Sequence, residues 1–256
     1  MTGLTIANRS ASRQFKWLGA AATLAAVLTG AALLAPTSAY AAGGAFVVDD
    51  SEVNEVGSCK VESWAAIASN TDFFGVVAPA CVVSMGRPVE LGASFVRFRS
   101  DHAWGTDLLF KAKTNLIPLE NNKFGVAFIV GAGVSLTDRA FNVMYVTIPV
   151  SFQLHEKLRL NVNGGWLGNP STGENVASWG AGLEWNPVNK QTTLIGEVFG
   201  FAGGDNPQPR AQLGVRFTPK EHFDIDVIYG RNLTGENANW ITVGVNLRFD
   251  APKAKK

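Results

Sequence analysis

The end of the chain alternates strictly between apolar residues and polar or small ones. In "WITVGVNLRF" a large apolar side chain stands at every second position from 241 to 249, and Thr242, Asn246 and Arg248 stand between them. Successive side chains of a β-strand point to opposite faces, so this spacing predicts a strand with one apolar and one polar face. A helix would need apolar residues every three to four positions.

The same alternation recurs along most of the chain. "KLRLNVN" at 157–163, "RAQLGVRF" at 210–217 and "HFDIDVIYG" at 222–230 each place apolar side chains on one face and polar ones on the other. No amphipathic helix is recognisable after residue 59. Turn residues separate the runs and predict about twelve strands, at 59–68, 73–83, 88–98, 105–116, 123–135, 141–154, 157–166, 177–186, 191–201, 210–218, 222–231 and 239–249.

Neighbouring runs agree with each other when they are folded into hairpins. Folding 141–166 about Glu156 places the apolar residues of both strands on one side and sets Arg159 opposite Gln153. Folding at "TPKE" sets Arg216 opposite Asp224. A slip of one residue would move every apolar side chain to the wrong face, so the pattern specifies the register. The alternation does not show which face is which for the strands at 88–98 and 191–201; in the first of these "SFVRFRS" changes phase partway, which a β-bulge would explain.

The connections and tryptophans indicate which kind of β-protein this is. Tight connections such as "LHEKL" alternate with longer ones such as "RSDHAWG" and "LGNPSTGENVAS". Six tryptophans fall near predicted strand ends, where the aromatic belts of a membrane barrel lie: Trp64, Trp104, Trp166, Trp179, Trp185 and Trp240. We therefore predict an all-β fold, an antiparallel up-and-down transmembrane β-barrel over residues 59–249. A secreted β-sandwich is the alternative, but charged residues in mid-strand and the lack of covering helices disfavour it.

The first forty-one residues have the features of a secretory signal peptide. Three basic residues and no acidic one precede an apolar run from 18 to 34, and the small-x-small site Ala39-Tyr40-Ala41 follows. We predict cleavage after Ala41 and export to the cell outer membrane of a Gram-negative bacterium. An uncleaved anchor is the alternative, which the short, alanine- and glycine-rich run disfavours.

The charge balance limits the partners. The chain has 22 Lys and Arg against 21 Asp and Glu, which does not suit a nucleic-acid binder. We expect outer-membrane lipid, the barrel-assembly machinery and small solutes as partners; the sequence does not specify an oligomeric state. The last residues, "DAPKAKK" at 250–256, are predicted to form a basic periplasmic tail.

The two cysteines predict a disulfide. Folding the first hairpin about Asn70 sets Cys59 opposite Cys81, and an exported protein meets an oxidising environment. The bridge is expected to be structural, because there is no Cys-x-x-Cys motif and nothing nearby would lower a thiol pKa. No His or Cys stands at metal-ligand spacing beside them, so we predict no metal site.

Residues 42–58 form a polar, acidic segment that we expect on the periplasmic side, ahead of the barrel. The stretch "VVDDSEVNEVGSCKVES" at 47–63 resembles the start of a family of outer-membrane barrels encoded in phenol meta-cleavage clusters, the MetA-pathway proteins. The resemblance implies a channel-like barrel of roughly twelve strands for uptake of hydrophobic or aromatic compounds. The cysteine pair is not part of that family's pattern, and no binding residue is carried over from it.

Catalysis has little support in the sequence. Barrel phospholipases use a His-x-Ser arrangement on one strand face, and none of His102, His155 and His222 has a serine two positions on. Glu184 and Glu197 could be paired for acid–base work, but carboxylates facing Lys or Arg in a lumen need no such role. We predict that the protein is not an enzyme and has no cofactor.

The functional surface of such a barrel is the set of polar residues that point inward. These candidates are Asp107, Lys111, Lys113, Arg159, Asn161, Asn163, Glu184, Arg216, Asp224, Asp226, Asn246 and Arg248. If they line an open pore, the protein is a passive channel or uptake route for small solutes, hydrophobic or aromatic ones among them. If they only bond across the interior, it is a non-conducting structural or surface-interaction barrel; a barrel lipid hydrolase is the third alternative.

Overall fold

The computed structural model describes residues 44–120, 123–189, 191–203, 209–235 and 237–250. The expected signal peptide and most of the expected basic tail lie outside these residues. Among the described residues, no helix is long and apolar enough to cross a membrane.

Twelve antiparallel strands form a closed barrel, which confirms the predicted fold. Each strand pairs with its neighbours in the chain, and β1 closes the barrel against β12 with Cys59 opposite Phe249 and Ala68 opposite Trp240. The strands are β1 (Cys59–Ala68), β2 (Phe73–Ser84), β3 (Pro88–Ser100), β4 (Ala103–Ile117), β5 (Phe124–Ser135), β6 (Ala140–His155), β7 (Leu158–Asn169), β8 (Glu174–Trp185), β9 (Thr192–Ala202), β10 (Arg210–Lys220), β11 (Phe223–Asn232) and β12 (Asn239–Phe249).

The alternation in each strand separates an inner from an outer wall. In β12, Ile241, Val243 and Phe249 are more than half exposed on the outside, at 57%, 51% and 52%, whereas Thr242 and Asn246 are buried inside. Apolar side chains facing outward and paired backbone groups all round the barrel are what a bilayer requires of a β-protein.

The two ends of the barrel are named here by their connections. The turn end carries the start of β1, the end of β12 and the connections after the even-numbered strands β2 to β10; the loop end carries the others. The connections differ less in length than predicted. β7 and β8 extend into the stretch expected as a long loop, so only residues 170–173 connect them, and Asp101 and His102 alone connect β3 to β4. Their φ angles of 49° and 65° suit a two-residue hairpin turn.

One predicted pairing is shifted, and one predicted bulge is absent. Arg216 pairs with Asp226 rather than Asp224, because the register of β10 against β11 shifts between Phe217 and Lys220, near the turn. β3 pairs with β4 without interruption from Val89 to Ser100, so no bulge interrupts that pairing.

The phase change in β3 has another cause. Near the loop end the two faces exchange polarity: Val96 and Phe98 point inward, and Arg97 and Arg99 point outward. The interior is apolar at this height, and on the outer wall the two arginines stand beside Phe73 and Trp104. A sequence rule that assigns every apolar residue to the outside therefore fails for this part of the barrel.

The tryptophans divide between the two walls. Trp104, Trp166 and Trp179 are exposed on the outside near the loop end, and Trp185 is exposed near the turn end. Trp64 and Trp240 were expected in the same belts but point into the lumen. In β12 this placement follows from the alternation itself, since Trp240 is two positions from Thr242 and shares its inner face.

Cys59 and Cys81 form the predicted disulfide. They stand opposite each other on β1 and β2 near the turn end. Since Lys60 and Ala80 occupy the inner face there, the bridge lies on the outer wall, beside the β1–β12 closure.

Candidate functional site in the barrel lumen

The segment ahead of β1 lies inside the barrel rather than outside it. We call residues 44–52 the inner segment. Val48 is 1% exposed and Ser51 is fully buried, and Phe46 packs against Ile195 of β9 and Ile228 of β11. The expected periplasmic position is thus replaced by a luminal one for these residues. A short segment without periodicity does not reveal from sequence what it contacts.

Glycines on the inner wall make room for the inner segment. A Cβ atom at Gly180 would stand 3.0 Å from Val48 Cγ2, and one at Gly182 would stand 3.3 Å from Val48 Cβ. A Cβ at Gly214 would stand 3.0 Å from Phe46 Cζ. Larger side chains at these positions would displace the segment, so the wall of β8 and β10 is shaped to accommodate it.

Acidic residues of the inner segment pair with basic residues of the wall. Lys113 Nζ lies 2.8 Å from Asp49 Oδ1 and 3.0 Å from Asp50 Oδ1. Arg159 Nη1 lies 2.5 Å from Glu52 Oε2, and its Nη2 lies 3.6 Å from Asp50 Oδ2. Buried charges are tolerated when they are paired in this way, and loss of one partner leaves the other uncompensated.

The backbone of the inner segment is held by side chains of the wall. The N–H groups of Val47 and Val48 donate to the two oxygens of Glu197, at 3.0 and 3.1 Å. The N–H of Ser51 donates to Ser151 Oγ at 2.9 Å, and Asn115 donates to the Ser51 carbonyl at 2.5 Å. These bonds satisfy the backbone of a segment that has no strand partner.

Asn163 binds the middle of the inner segment. In the amide orientation that satisfies both groups, its nitrogen donates to the Asp49 carbonyl at 2.8 Å and its oxygen accepts from the Asp49 N–H at 2.7 Å. This pairing resembles one rung of a β-ladder.

The pairing registers place all twelve predicted lumen residues on the inner wall. Six of them contact the inner segment or bind a residue that contacts it: Lys113, Arg159, Asn161, Asn163, Glu184 and Arg216. Glu184 receives Arg159 Nη2 at 3.0 Å and the side-chain amide of Asn161. Arg216 lies over the ring of Phe46, with 5.3 Å from Cζ to the ring centroid, and 2.7 Å from Asp226 through Nε.

The other predicted residues form smaller pairs. Lys111 Nζ lies 3.4 Å from Glu90 Oε1. Arg248 Nη1 lies 2.5 Å from Asp224 Oδ2, and Asn246 donates to Asp226. Asp107 is separate from these pairs, nearer the loop end, where it accepts from Asn142 at 3.2 Å.

Paired side chains and the inner segment occupy most of the turn-end half of the lumen. The cavity left among the charged residues there, lined by Lys60, Glu62 and Glu90 among others, has a volume of about 40 Å³. A further cavity of about 200 Å³ lies beside the inner segment, lined by Asp49, Glu62 and Trp64 among others.

The loop-end half of the lumen is open and largely apolar. It forms a cavity of about 740 Å³ that we call the loop-end vestibule. Ala45 and Val47 of the inner segment line it from below. Six aromatic side chains from five strands line its wall: Trp64, Phe74, Phe98, Phe199, Phe201 and Trp240.

The predicted set of lumen residues leaves out several that the structure places there. Glu197 stands on β9, where Ile195 and Phe199 share its inner face, while Leu194 and Val198 face outward. Because both faces of β9 are apolar there, the alternation does not show which side chains point inward. Glu90 lies on β3 and was missed for the related reason that the phase of that strand is ambiguous. The acidic residues of the inner segment were left out because the segment was expected outside the barrel.

The residues considered for catalysis do not form a site. His102, His155 and His222 lie at three different connections or strand ends. Glu184 is bound by Arg159 and Asn161, and Glu197 by Gln212 and the inner segment.

The sequence of this barrel matches a known protein family. The family model described as "Uncharacterised conserved protein UCP029691" matches residues 30–249, which include the inner segment and all twelve strands. The chain belongs to this family. No curated protein sequence matches it.

Solved structures of outer-membrane barrels share the fold of this family member. The KdgM porin has a TM-score of 0.60 at 8% identity, covering 74% of this chain and 99% of that one. The COG4313 outer membrane channel from Pseudomonas putida F1 has a TM-score of 0.59 at 17% identity, covering 78% and 98%. The NanC porin has a TM-score of 0.55 at 10% identity, covering 73% and 98%. The fold is that of outer-membrane porin barrels.

Proposed function

We propose that the protein is an outer-membrane channel for passive entry of small solutes, hydrophobic or aromatic ones among them, and that the inner segment closes it. The observation that carries this proposal is the position of the inner segment, which borders both halves of the lumen. Ala45 and Val47 line the aromatic vestibule, and three residues later the same segment is bound by Lys113 and Arg159. A solute that passes the vestibule therefore meets the segment directly.

The walls of the barrel support a location in the outer membrane and a direction of entry. The outer wall is apolar, and the predicted signal peptide and aromatic Phe249 at the end of β12 suit a protein delivered by the barrel-assembly machinery. With the turn end in the periplasm, the vestibule opens to the exterior and the inner segment lies on the periplasmic side.

The porin fold supports a channel role. A KdgM porin structure is described as a complex with disordered oligogalacturonate. In this chain the two halves of the lumen differ in chemistry, because aromatic rings line the loop-end half and charged side chains line the turn-end half. Such a surface suits an aromatic or hydrophobic solute, in agreement with the MetA-pathway resemblance of residues 47–63.

A second candidate, a non-conducting structural barrel, is favoured by one observation. The described charged residues of the turn-end half are largely paired with one another and with the inner segment, as in a permanently closed interior. The two candidates differ in whether the segment ever leaves the lumen.

Uptake by intact Gram-negative cells tests the proposal. Cells that produce the wild-type protein should take up a labelled aromatic alcohol faster than cells with an empty vector, and cells with residues 44–54 deleted should take it up fastest. Heat-modifiable gel migration and outer-membrane fractionation verify that each variant is folded and located as proposed. Equal uptake by all three would reject the channel in favour of the structural barrel.

A further inference from the structure

Arg210 differs from the other basic residues of the lumen. It is the first residue of β10, stands opposite Phe199 of β9 and Asn232 of β11, and lines the loop-end vestibule. It is partly buried and forms no ion pair with any carboxylate that the structure describes. By contrast, Lys113 and Arg248 are each paired with carboxylates at 3.0 Å or less.

A guanidinium with no carboxylate partner among the described residues, at the mouth of an apolar cavity, favours an anionic ligand. Burial removes part of the water that would solvate the charge, so an incoming carboxylate gains more there than in solution. The planar guanidinium matches a carboxylate with two parallel hydrogen bonds, which are stronger than bonds between neutral groups.

The rings around Arg210 define the rest of the ligand. Phe199, Phe201 and Trp240 line the same cavity, with Trp64, Phe74 and Phe98 on the other side. Aromatic side chains attract flat rings through offset and edge-to-face contacts. The cavity volume of about 740 Å³ lies within the range of small-molecule sites. We infer that the loop-end vestibule binds small aromatic monocarboxylates, with the carboxylate at Arg210 and the ring among these aromatic side chains.

Other charged residues of the vestibule favour one negative charge over two. Asp107 lines it from β4, which is opposite β10 in the strand order, and Asp72 lines it from the β1–β2 connection. Both would repel a second carboxylate. Arg99 points outward from the end of β3 and only borders the vestibule; it donates to the Thr71 carbonyl and lies over Trp104, 5.5 Å from the ring centroid.

This inference rests on the proposed function, since the vestibule is the entry of the proposed channel, but its test does not require transport. Calorimetry on the detergent-solubilised protein compares benzoate, the neutral analogue benzyl alcohol and the dianion phthalate. Benzoate should bind most tightly. Arg210→Gln should weaken benzoate binding by about 10-fold or more, because a charge-assisted hydrogen bond is lost, and should leave benzyl alcohol binding unchanged. Arg210→Lys should retain part of the affinity.

Arg97→Gln is the matched control, because it removes an equal charge from an exposed residue of the outer wall. The inference would be overturned if Arg210→Gln bound benzoate as tightly as the wild type does. It would also be overturned if the wild type bound benzoate no more tightly than benzyl alcohol, a comparison that needs no variant to fold. Aromatic uptake without benzoate binding would reject the site and keep the channel. Benzoate binding without uptake would reject the channel and keep the site.

Discussion

Val48 of the inner segment lies against the backbone of Gly182 on β8, so closely that a Cβ at Gly182 would stand 3.3 Å from Val48 Cβ. The barrel wall has a glycine at the position where the apolar side chain of Val48 packs. The inner segment is therefore packed as part of the barrel interior.

Enlarging the wall at this contact should displace the inner segment. Gly182→Val adds atoms where Val48 lies, so we expect Val48→Cys to react faster with a water-soluble maleimide in that background. Gly164→Val is the control, because nothing lies within 4 Å of a Cβ at Gly164. Equal labelling rates in the two backgrounds would show that the contact does not hold the segment.

Removing the cation that the inner segment shares should destabilise the closed barrel. Lys113→Met leaves Asp49 and Asp50 without their shared partner inside the lumen. Loss of one member of a buried ion pair costs about 3–5 kcal/mol, and urea unfolding in lipid vesicles measures the change. Lys157→Met, in the exposed turn between β6 and β7, should change stability by less than about 0.5 kcal/mol. Similar values for both variants would contradict the network.

The disulfide should stabilise the fold without being required for it. Replacing Cys59 and Cys81 by serine releases a cross-link that spans 22 positions, and we expect the free energy of unfolding to fall by about 2–4 kcal/mol. The hydrogen-bonded pairing of β1 with both neighbours remains. Heat-modifiable gel migration should therefore still show a folded barrel at room temperature, with unfolding at a lower temperature than wild type. A variant that never folds would show that the bridge directs assembly.

The tryptophans should report on two different environments. Trp179 faces outward and Trp240 faces the vestibule, so brominated lipids should quench Trp179 and aqueous iodide should quench Trp240. Trp179→Phe and Trp240→Phe identify each contribution. Quenching of Trp240 by brominated lipid would contradict the inward placement.

Most of the barrel could be predicted because its outer wall follows one rule. Strands such as β7, β10 and β12 face lipid with one side and charged partners with the other, so period-two alternation gives both the strand and its register. Prediction fails where the interior is not polar. Glu197 lies beside the apolar part of the inner segment, where both faces of β9 look alike. Trp240 was misassigned because an aromatic residue at a strand end was expected in the outer belts, although the alternation of β12 places it inside.

The position of the inner segment could not be predicted for a different reason. Its contacts with Lys113, Arg159 and Glu197 are separated from it by more than sixty positions. Nothing local in "AFVVDDSE" specifies them. The excess of carboxylates ahead of β1 and the glycines on the inner face are complementary, but that complementarity is visible only once the barrel has closed.

The most direct test of the account is single-channel conductance with the inner segment locked. Val48→Cys with Gly182→Cys, in a background where Cys59 and Cys81 are serines, places two Cβ atoms near the distance of a disulfide. When the pair is oxidised in planar bilayers, no current steps should occur; reduction should restore the steps of the background protein, which should itself be unaffected by the reductant. Current steps of equal size and frequency before and after reduction would contradict the claim that this segment closes the channel.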